Sequence, residues 1–328
     1  MLTLLQNTRA YQLAMGERAK GELSHAYLLH FPDARNLRTA LAAFAKLFFN
    51  CQNTQTAETE RIARLIDDEQ FSDCLFFPEK DKKFVVEDAE KISEESSLKP
   101  VESDEKLFVI CDFDGATPAA QNKLLKLLEE PPKGVRFLLG ATTVFPVLST
   151  VLSRVKVLEI PAFSTQQIVE CLNREYTDEY STADKELCAA ACGGVLGVAQ
   201  NMLTSGAYKS LVDDAFALAG AKEHQLPLLI KNVGDTKRKK ELLSLLRIIW
   251  RDALLLKAAE TKQGQGLNEN VFLQTEVKRL KEIAGSLSLP ALVYAQEAVS
   301  KAERQVTFNA YFPQCLQVLI ASVRTYHV

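Results

Sequence analysis

The side chains in this sequence that could do chemistry fall into a few groups, and each has a plainer use to weigh against it. Asp112 closes the apolar run 107–111, and Asp114 follows two residues later. Carboxylates at a strand end can hold magnesium or position water, but strand alternation turns Asp114 away from the face of the residue directly after Asp112, and turn residues are the better reading of both. His25 stands at the start of the run 26–30, where a structural histidine is expected before a catalytic one. Cys188 and Cys192 lie four apart on an expected helix, a spacing that can face a metal, yet no third ligand is near and packed thiols are expected. Cys51 and Cys74 have no C-x-x-C pairing, so no zinc and no other metal is expected. The basic run 237–240 opens a helix, which suits a solvated turn better than contact with a phosphate backbone. Arg154, directly after Ser153, ends a short helix. Its planar fork of N–H donors matches phosphate or carboxylate, and its plain alternative is an ordinary surface arginine.

The elements that must position these groups are clearest over 106–154. The run 107–111 suits a strand of a parallel sheet, buried on both faces. Thr117 can cap a helix, Pro118 fits its first position, the helix runs over 119–130, and Pro131-Pro132 stops it. A second strand over 135–141, a short helix holding Val147, Leu148 and Leu152, and a third strand over 155–160 complete the stretch. Such alternation implies a parallel sheet with right-handed crossovers. Upstream, 2–20 has helical spacing with Leu5, Ala10, Leu13 and Ala14 inward, 24–30 reads as a strand, and 37–49 as a helix. A helix over 58–68, a strand over 75–78 and a helix over 86–98 follow. From Ser164 onward all is helical: a capped helix after 164–167, another over 182–191, and a third opening at 193–199. The broad apolar pattern 242–256 implies burial on more than one side. A flexible loop is expected at 263–266, and helices over 270–287, 290–304 and 307–323.

Length and composition narrow the class. At 328 residues, two or three domains are expected, and 47% hydrophobic content is enough for sizeable cores. A net charge of -3 gives no global basic signature for nucleic acid. No apolar run approaches the roughly 18 residues of a membrane span, so no membrane association is expected. The N-terminus lacks a secretory pattern. The seven cysteines are odd in number and scattered, which reads as reduced thiols in a cytoplasmic protein.

The run AAQNKLLKLLEEPPKGVRFLLGATT, followed by LSTVLSRV, resembles the nucleotide-domain signature of the bacterial DNA polymerase III clamp-loader family. There the helix typically reads N-A-L-L-K-x-L-E-E-P-P and the later turn S-R-C. The coarse pattern extends over 25–203; beyond it only the helical layout is alike. The resemblance implies an α/β AAA+ domain of P-loop NTPase fold over 1–162. A small helical lid over 163–207 and an all-helical collar over 208–328, which joins subunits, would follow it.

In that family H-A-Y-L-L, here 25–29, leads into the phosphate loop. A working loop, G-x-x-x-x-G-K-[ST], wraps phosphates with bare N–H groups, neutralises them with lysine and holds magnesium with its hydroxyl. By the resemblance, Phe31 and Asn36 take the glycine positions, Leu37 the lysine position and Arg38 the hydroxyl position, while Pro32 alone survives from the usual G-P-x-G-x-G-K-T. Asp33 adds a negative charge, and Arg35 and Arg38 are expected as solvated helix-start residues. Phe113 stands where an active ATPase follows its aspartate with glutamate, and Gly197 where it carries a sensor arginine. The resemblance therefore implies no bound cofactor and a non-catalytic subunit that completes the loader ring. Arg154, supported by Ser153 and followed by Val155 in place of cysteine, would be an arginine finger acting in trans on a neighbour's ATP. The implied partners are gamma/tau-type ATPase subunits and the delta subunit, with the sliding clamp and primed DNA met through the complex. An active ATPase of the same fold is opposed by Phe31, Asn36, Leu37, Phe113 and Gly197. A stand-alone DNA-binding structural protein is disfavoured by the acidic balance.

Overall fold

A computed structural model describes residues 1–51, 56–206, 208–259 and 271–326, and the loop expected at 263–266 lies outside them. The chain divides into two compact units, Met1–Ala162 and Phe163–Val328. In the first, the apolar runs become five strands: β1 (Ala26–His30), β2 (Cys74–Phe77), β3 (Lys106–Ile110), β4 (Val135–Ala141) and β5 (Lys156–Glu159). All pair in parallel, in the order β2-β3-β4-β1-β5. The inner strands are mostly apolar because helices cover both faces, with Lys106, Arg136 and His30 as their charged or polar members. At the edge, β5 buries only Leu158 and turns Lys156, Val157 and Glu159 outward, which blunts the edge with charge.

Among the described residues, seven α-helices accompany the sheet: α1 (Leu2–Gln6), α2 (Arg9–Lys20), α3 (Leu37–Phe48), α4 (Ala57–Asp67), α5 (Val86–Ser96), α6 (Pro118–Glu129) and α7 (Ser149–Leu152). On one face, Ala89 and Ile92 of α5 and Ala120, Leu124 and Leu128 of α6 pack with Leu28, Phe108, Ile110, Phe137 and Leu139. The other face meets α2 and α3, where Tyr11 sits edge-on to Phe44 at 5.2 Å and Tyr27 edge-on to Phe48 at 5.8 Å. There α3 comes so near β4 that a Cβ on Gly140 would lie 2.5 Å from Leu41 Cδ1. Because every strand runs the same way, the loops after β1, β3 and β4 gather at one end of the sheet, the usual place for a ligand in an open α/β fold.

The expected N-terminal helix is in fact two. Thr8 starts α2 as its N-cap, accepting from the Tyr11 N–H at 3.2 Å. The break resets the helical phase, so Tyr11 turns inward with Ala10 and Ala14, while Leu13 is 41% exposed. The third strand of the signature stretch is shorter than the expected 155–160 by a residue at each end.

The second unit is helical: α8 (Thr165–Glu175), α9 (Thr182–Ala191), α10 (Leu196–Thr204), α11 (Tyr208–Gly220), α12 (Leu226–Val233), α13 (Lys239–Ala259), α14 (Val277–Ser286), α15 (Leu289–Thr307) and α16 (Phe312–Arg324). Ser164 and Gln167 form the capping box that starts α8. The broad apolar face of α13 has a plain cause: it packs on α9, α11, α14 and α15, and Leu242, Leu243, Leu245, Leu246, Ile249 and Trp250 are all buried. Cys188 and Cys192 are buried thiols, and burial pushes Cys188 up to about 12. Two expected boundaries move. Buried Asp252 accepts from the Leu273 N–H at 2.9 Å, and a 3₁₀ turn over Gln274–Glu276 follows, so α14 begins only at Val277, while Asn270 lies outside the described residues. Asn309 adopts a left-handed φ of 59°, which separates α15 from α16, so Thr307 ends the former instead of starting the latter.

Candidate functional site

The loop from β1 to α3 is packed with its own side chains. Phe31 is 2% exposed and Leu37 1%, so the positions that would offer bare backbone and a lysine amine carry core side chains instead. Asp33, 1% exposed, does not face a ligand: its carboxylate accepts from the Asn36 N–H at 3.2 Å and from Asn36 Nδ2 at 2.8 Å. It ties the loop to the start of α3. Pro32 and Arg35 are exposed. Arg38 is not the solvated helix-start residue expected from the sequence. Its Nε and Nη2 each donate to Glu69 at 2.6 Å, its Nη1 donates to the Pro78 carbonyl at 3.1 Å, and the guanidinium lies over Phe76. Hydrogen bonding from Arg38 holds the Glu69 carboxyl below the usual range against the opposing effect of burial. An internal ion pair thus takes the guanidinium that an anion would need.

Across the same end of the sheet, Asp112 follows β3 in a left-handed conformation, φ 50°, and Phe113 is fully buried. Burial, and then Asp114, raise the Asp112 carboxyl, and burial pushes the neighbouring Cys111 thiol up to about 12. Asp114 is a staple: it accepts from the Thr142 N–H at 3.2 Å, Thr142 Oγ1 at 2.6 Å and the Thr143 N–H at 3.2 Å. It joins the β3 and β4 loops. Gly197 is buried in the first turn of α10.

Arg154 lies elsewhere. The register Tyr27↔Lys156 sets it beside His25, at the end where β1 and β5 begin. From His25 to Phe31 an extended strand runs about 20 Å. His25, Leu128, Glu129, Ser153 and Arg154 line a shallow depression of about 450 Å³. His25 Nε2 lies 2.9 Å from the Leu128 carbonyl, which can only accept, so this nitrogen carries the proton and caps the end of α6. Arg154 donates from Nε to Glu129 Oε1 at 2.7 Å and from Nη1 to the Thr150 carbonyl at 2.7 Å and Ser153 Oγ at 3.0 Å, and its Nη2 is ion-paired with Glu129. The two halves of the signature, the helix ending Leu128-Glu129 and the turn Ser153-Arg154, therefore meet in one place.

Gln121 fixes that meeting and carries no signal in the sequence beyond a polar residue on an apolar helix face. It is fully buried, donates from Nε2 to the Ala116 and Pro146 carbonyls at 3.1 Å each, and accepts from the Leu148 N–H at 2.9 Å. The chain leading into α7 is thereby held against the start of α6. Glu129 as the partner of Arg154, and Glu69 as the partner of Arg38, were likewise not marked by any spacing.

The family described as "DNA polymerase III, delta subunit" matches residues 6–164. Over 288 residues the chain is 26% identical to the DNA polymerase III subunit gamma of Buchnera aphidicola subsp. Acyrthosiphon pisum, covering 80% of this chain and 79% of that one. Over its first half the chain is similar to the DNA polymerase III clamp-loader family. Within it, the chain is 28% identical over 165 residues to subunit delta' of Bacillus subtilis, covering 50% of each protein. It is 22% identical over 311 residues to subunit delta' of Yersinia pestis, covering 90% of this chain and 87% of that one. The chain spans half the length of subunit tau of Bacillus subtilis. The parallel sheet followed by helices is an α/β arrangement with an all-helical second unit. Among the described residues no helix is long and apolar enough to cross a membrane.

Proposed function

We propose that this chain is a delta'-type clamp-loader subunit. It binds no nucleotide productively and lends Arg154 to the ATP held by a neighbouring gamma/tau-type subunit. The observation that carries this reading is the separation of the two sites. The loop that would hold phosphate is filled by Phe31, Asp33, Leu37 and the Arg38–Glu69 pair, whereas Arg154 sits at the opposite end of β1, beyond reach of that loop. An arginine so placed has no substrate on its own chain. A planar guanidinium brought to a neighbour's transferring phosphate stabilises charge that develops in the transition state. Residues 163–207 would serve as the lid and 208–328 as the collar that joins the subunits. The sliding clamp, the delta subunit and primed DNA are then met through the assembled complex.

Two measurements test this. Calorimetric titration of the full chain with ATP and magnesium should show no micromolar binding. In the reconstituted complex, Arg154→Ala should lower DNA-stimulated ATP turnover in part, because one of several ATP sites loses its finger, and lower clamp loading more. Fingers supplied in trans are worth about 10³–10⁵ in rate at the site they serve. Arg154→Lys should rescue poorly, since an ammonium cannot reproduce the fork. Wild-type rates for Arg154→Ala would leave it a surface charge.

A further inference from the structure

The guanidinium of Arg154 is divided between two kinds of partner. Thr150 and Ser153 belong to the short segment that carries it, and both accept from Nη1. They move with the arginine and set its posture. Glu129 comes from the end of α6 and faces the other edge, Nε and Nη2. That edge, with two N–H groups side by side, is one that takes a carboxylate or a phosphate in bidentate fashion. The backbone of α6 is fixed next to it by His25 on the Leu128 carbonyl, while the Glu129 side chain itself is 48% exposed and the Arg154 side chain 31%. A carboxylate so exposed can swing away without disturbing the helix that bears it.

We propose that Glu129 is an exchangeable stand-in for phosphate. It occupies the working edge of Arg154 while no triphosphate is near and gives that edge up when one arrives. This rests on the arginine-finger reading. Two like charges cannot share the fork, so an incoming phosphate repels the carboxylate as it draws the guanidinium. Exposed ion pairs are weak, shifting an equilibrium by about one- to five-fold, so a triphosphate with its larger charge displaces Glu129 readily. The pair keeps the finger neutralised and oriented in the absence of nucleotide and makes its engagement depend on the neighbour's ATP. Glu129 is on this account a positioning residue; it acts through Arg154 and touches no substrate.

The test uses the reconstituted complex with its other ATP sites disabled by phosphate-loop substitutions in the partner subunits, so that DNA-stimulated turnover reports the one site. Glu129→Gln keeps size and hydrogen bonding but removes the competing charge. It should lower the half-saturating ATP concentration about two- to five-fold, with no fall in maximal turnover, and Glu129→Asp should stay near wild type. In an Arg154→Ala background, Glu129→Gln should change neither parameter. Three results overturn the proposal. Glu129→Gln can lower maximal turnover as Arg154→Ala does, which makes Glu129 a fixed support; it can act equally in both backgrounds, which places its effect in α6; or it can match wild type. Full turnover in Arg154→Ala alone would instead remove the finger on which the proposal stands.

Discussion

Leu37 stands where a phosphate loop would present an amine, and its side chain is buried against the sheet. Restoring the amine does not restore the site. A lysine there must either bury its charge or push aside Phe31 and the start of α3, and uncompensated buried charge costs about 3–5 kcal/mol. Nor is the rest of the phosphate machinery waiting: Asp33 is bound to Asn36 and Arg38 to Glu69. Leu37→Lys is therefore expected to melt well below wild type and still give no heat of ATP binding on titration. A variant of wild-type stability that binds ATP at micromolar concentration would show that the loop is open and only its lysine is missing. The burial of Phe31 and Leu37 was legible from residue types, because large apolar side chains beside a sheet seek its core. The Arg38–Glu69 pair was not: it joins residues 31 apart in sequence, and no spacing rule announces such a partner.

At the scale of elements, the helix α6 does more than cross the sheet. Its apolar face fills the core with Ala120, Leu124 and Leu128, its end supplies Glu129, and near its start Gln121 clamps the chain that leads into α7. Gln121→Leu would preserve bulk but leave the Leu148 N–H without its acceptor and two carbonyls without a donor. Lost hydrogen bonds of this kind, one of them stranding a part-buried donor, amount to about 2–4 kcal/mol. Urea denaturation should show that loss, and if Arg154 acts in trans as proposed, DNA-stimulated turnover of the reconstituted complex should fall with assembly intact, because Arg154 follows the loosened segment. An unchanged midpoint would mean that the loop is held by other means. The type and order of these elements could be read from the sequence, since caps, proline stops and apolar runs are local signals. Junctions were harder. Thr8 as a cap inside an apparently continuous helix, Asn309 in a left-handed turn, and the pinning of Leu273 by Asp252 each depend on a tertiary contact or a backbone angle that periodicity does not carry.

At the scale of the molecule, the proposed collar raises a question of surface. The apolar run 242–256, read from the sequence as buried on more than one side, is consumed within Phe163–Val328 by the chain's own packing against α9, α11, α14 and α15. Contact with neighbours must use other side chains. The exposed large apolar groups on α15 and α16 include Val293 and Val318, each 54% exposed. The two surfaces predict different failures. Leu246→Asp puts a carboxylate into a fully enclosed site and should cost about 3–5 kcal/mol, a large share of the 5–15 kcal/mol that holds a typical protein folded. Its loss of assembly would follow from loss of fold and be visible as a lowered melting temperature in the isolated chain. Val293→Asp combined with Val318→Asp changes exposed positions, where substitutions are usually within about 0.5 kcal/mol, so the isolated chain should melt as wild type does. If the region after Tyr208 joins the subunits through α15 and α16, that double variant should co-purify poorly with the gamma/tau-type and delta subunits while remaining folded. Full assembly of the folded double variant would place the joining surface on another part of the chain, and a wild-type melting curve for Leu246→Asp would contradict the packing of α13 itself.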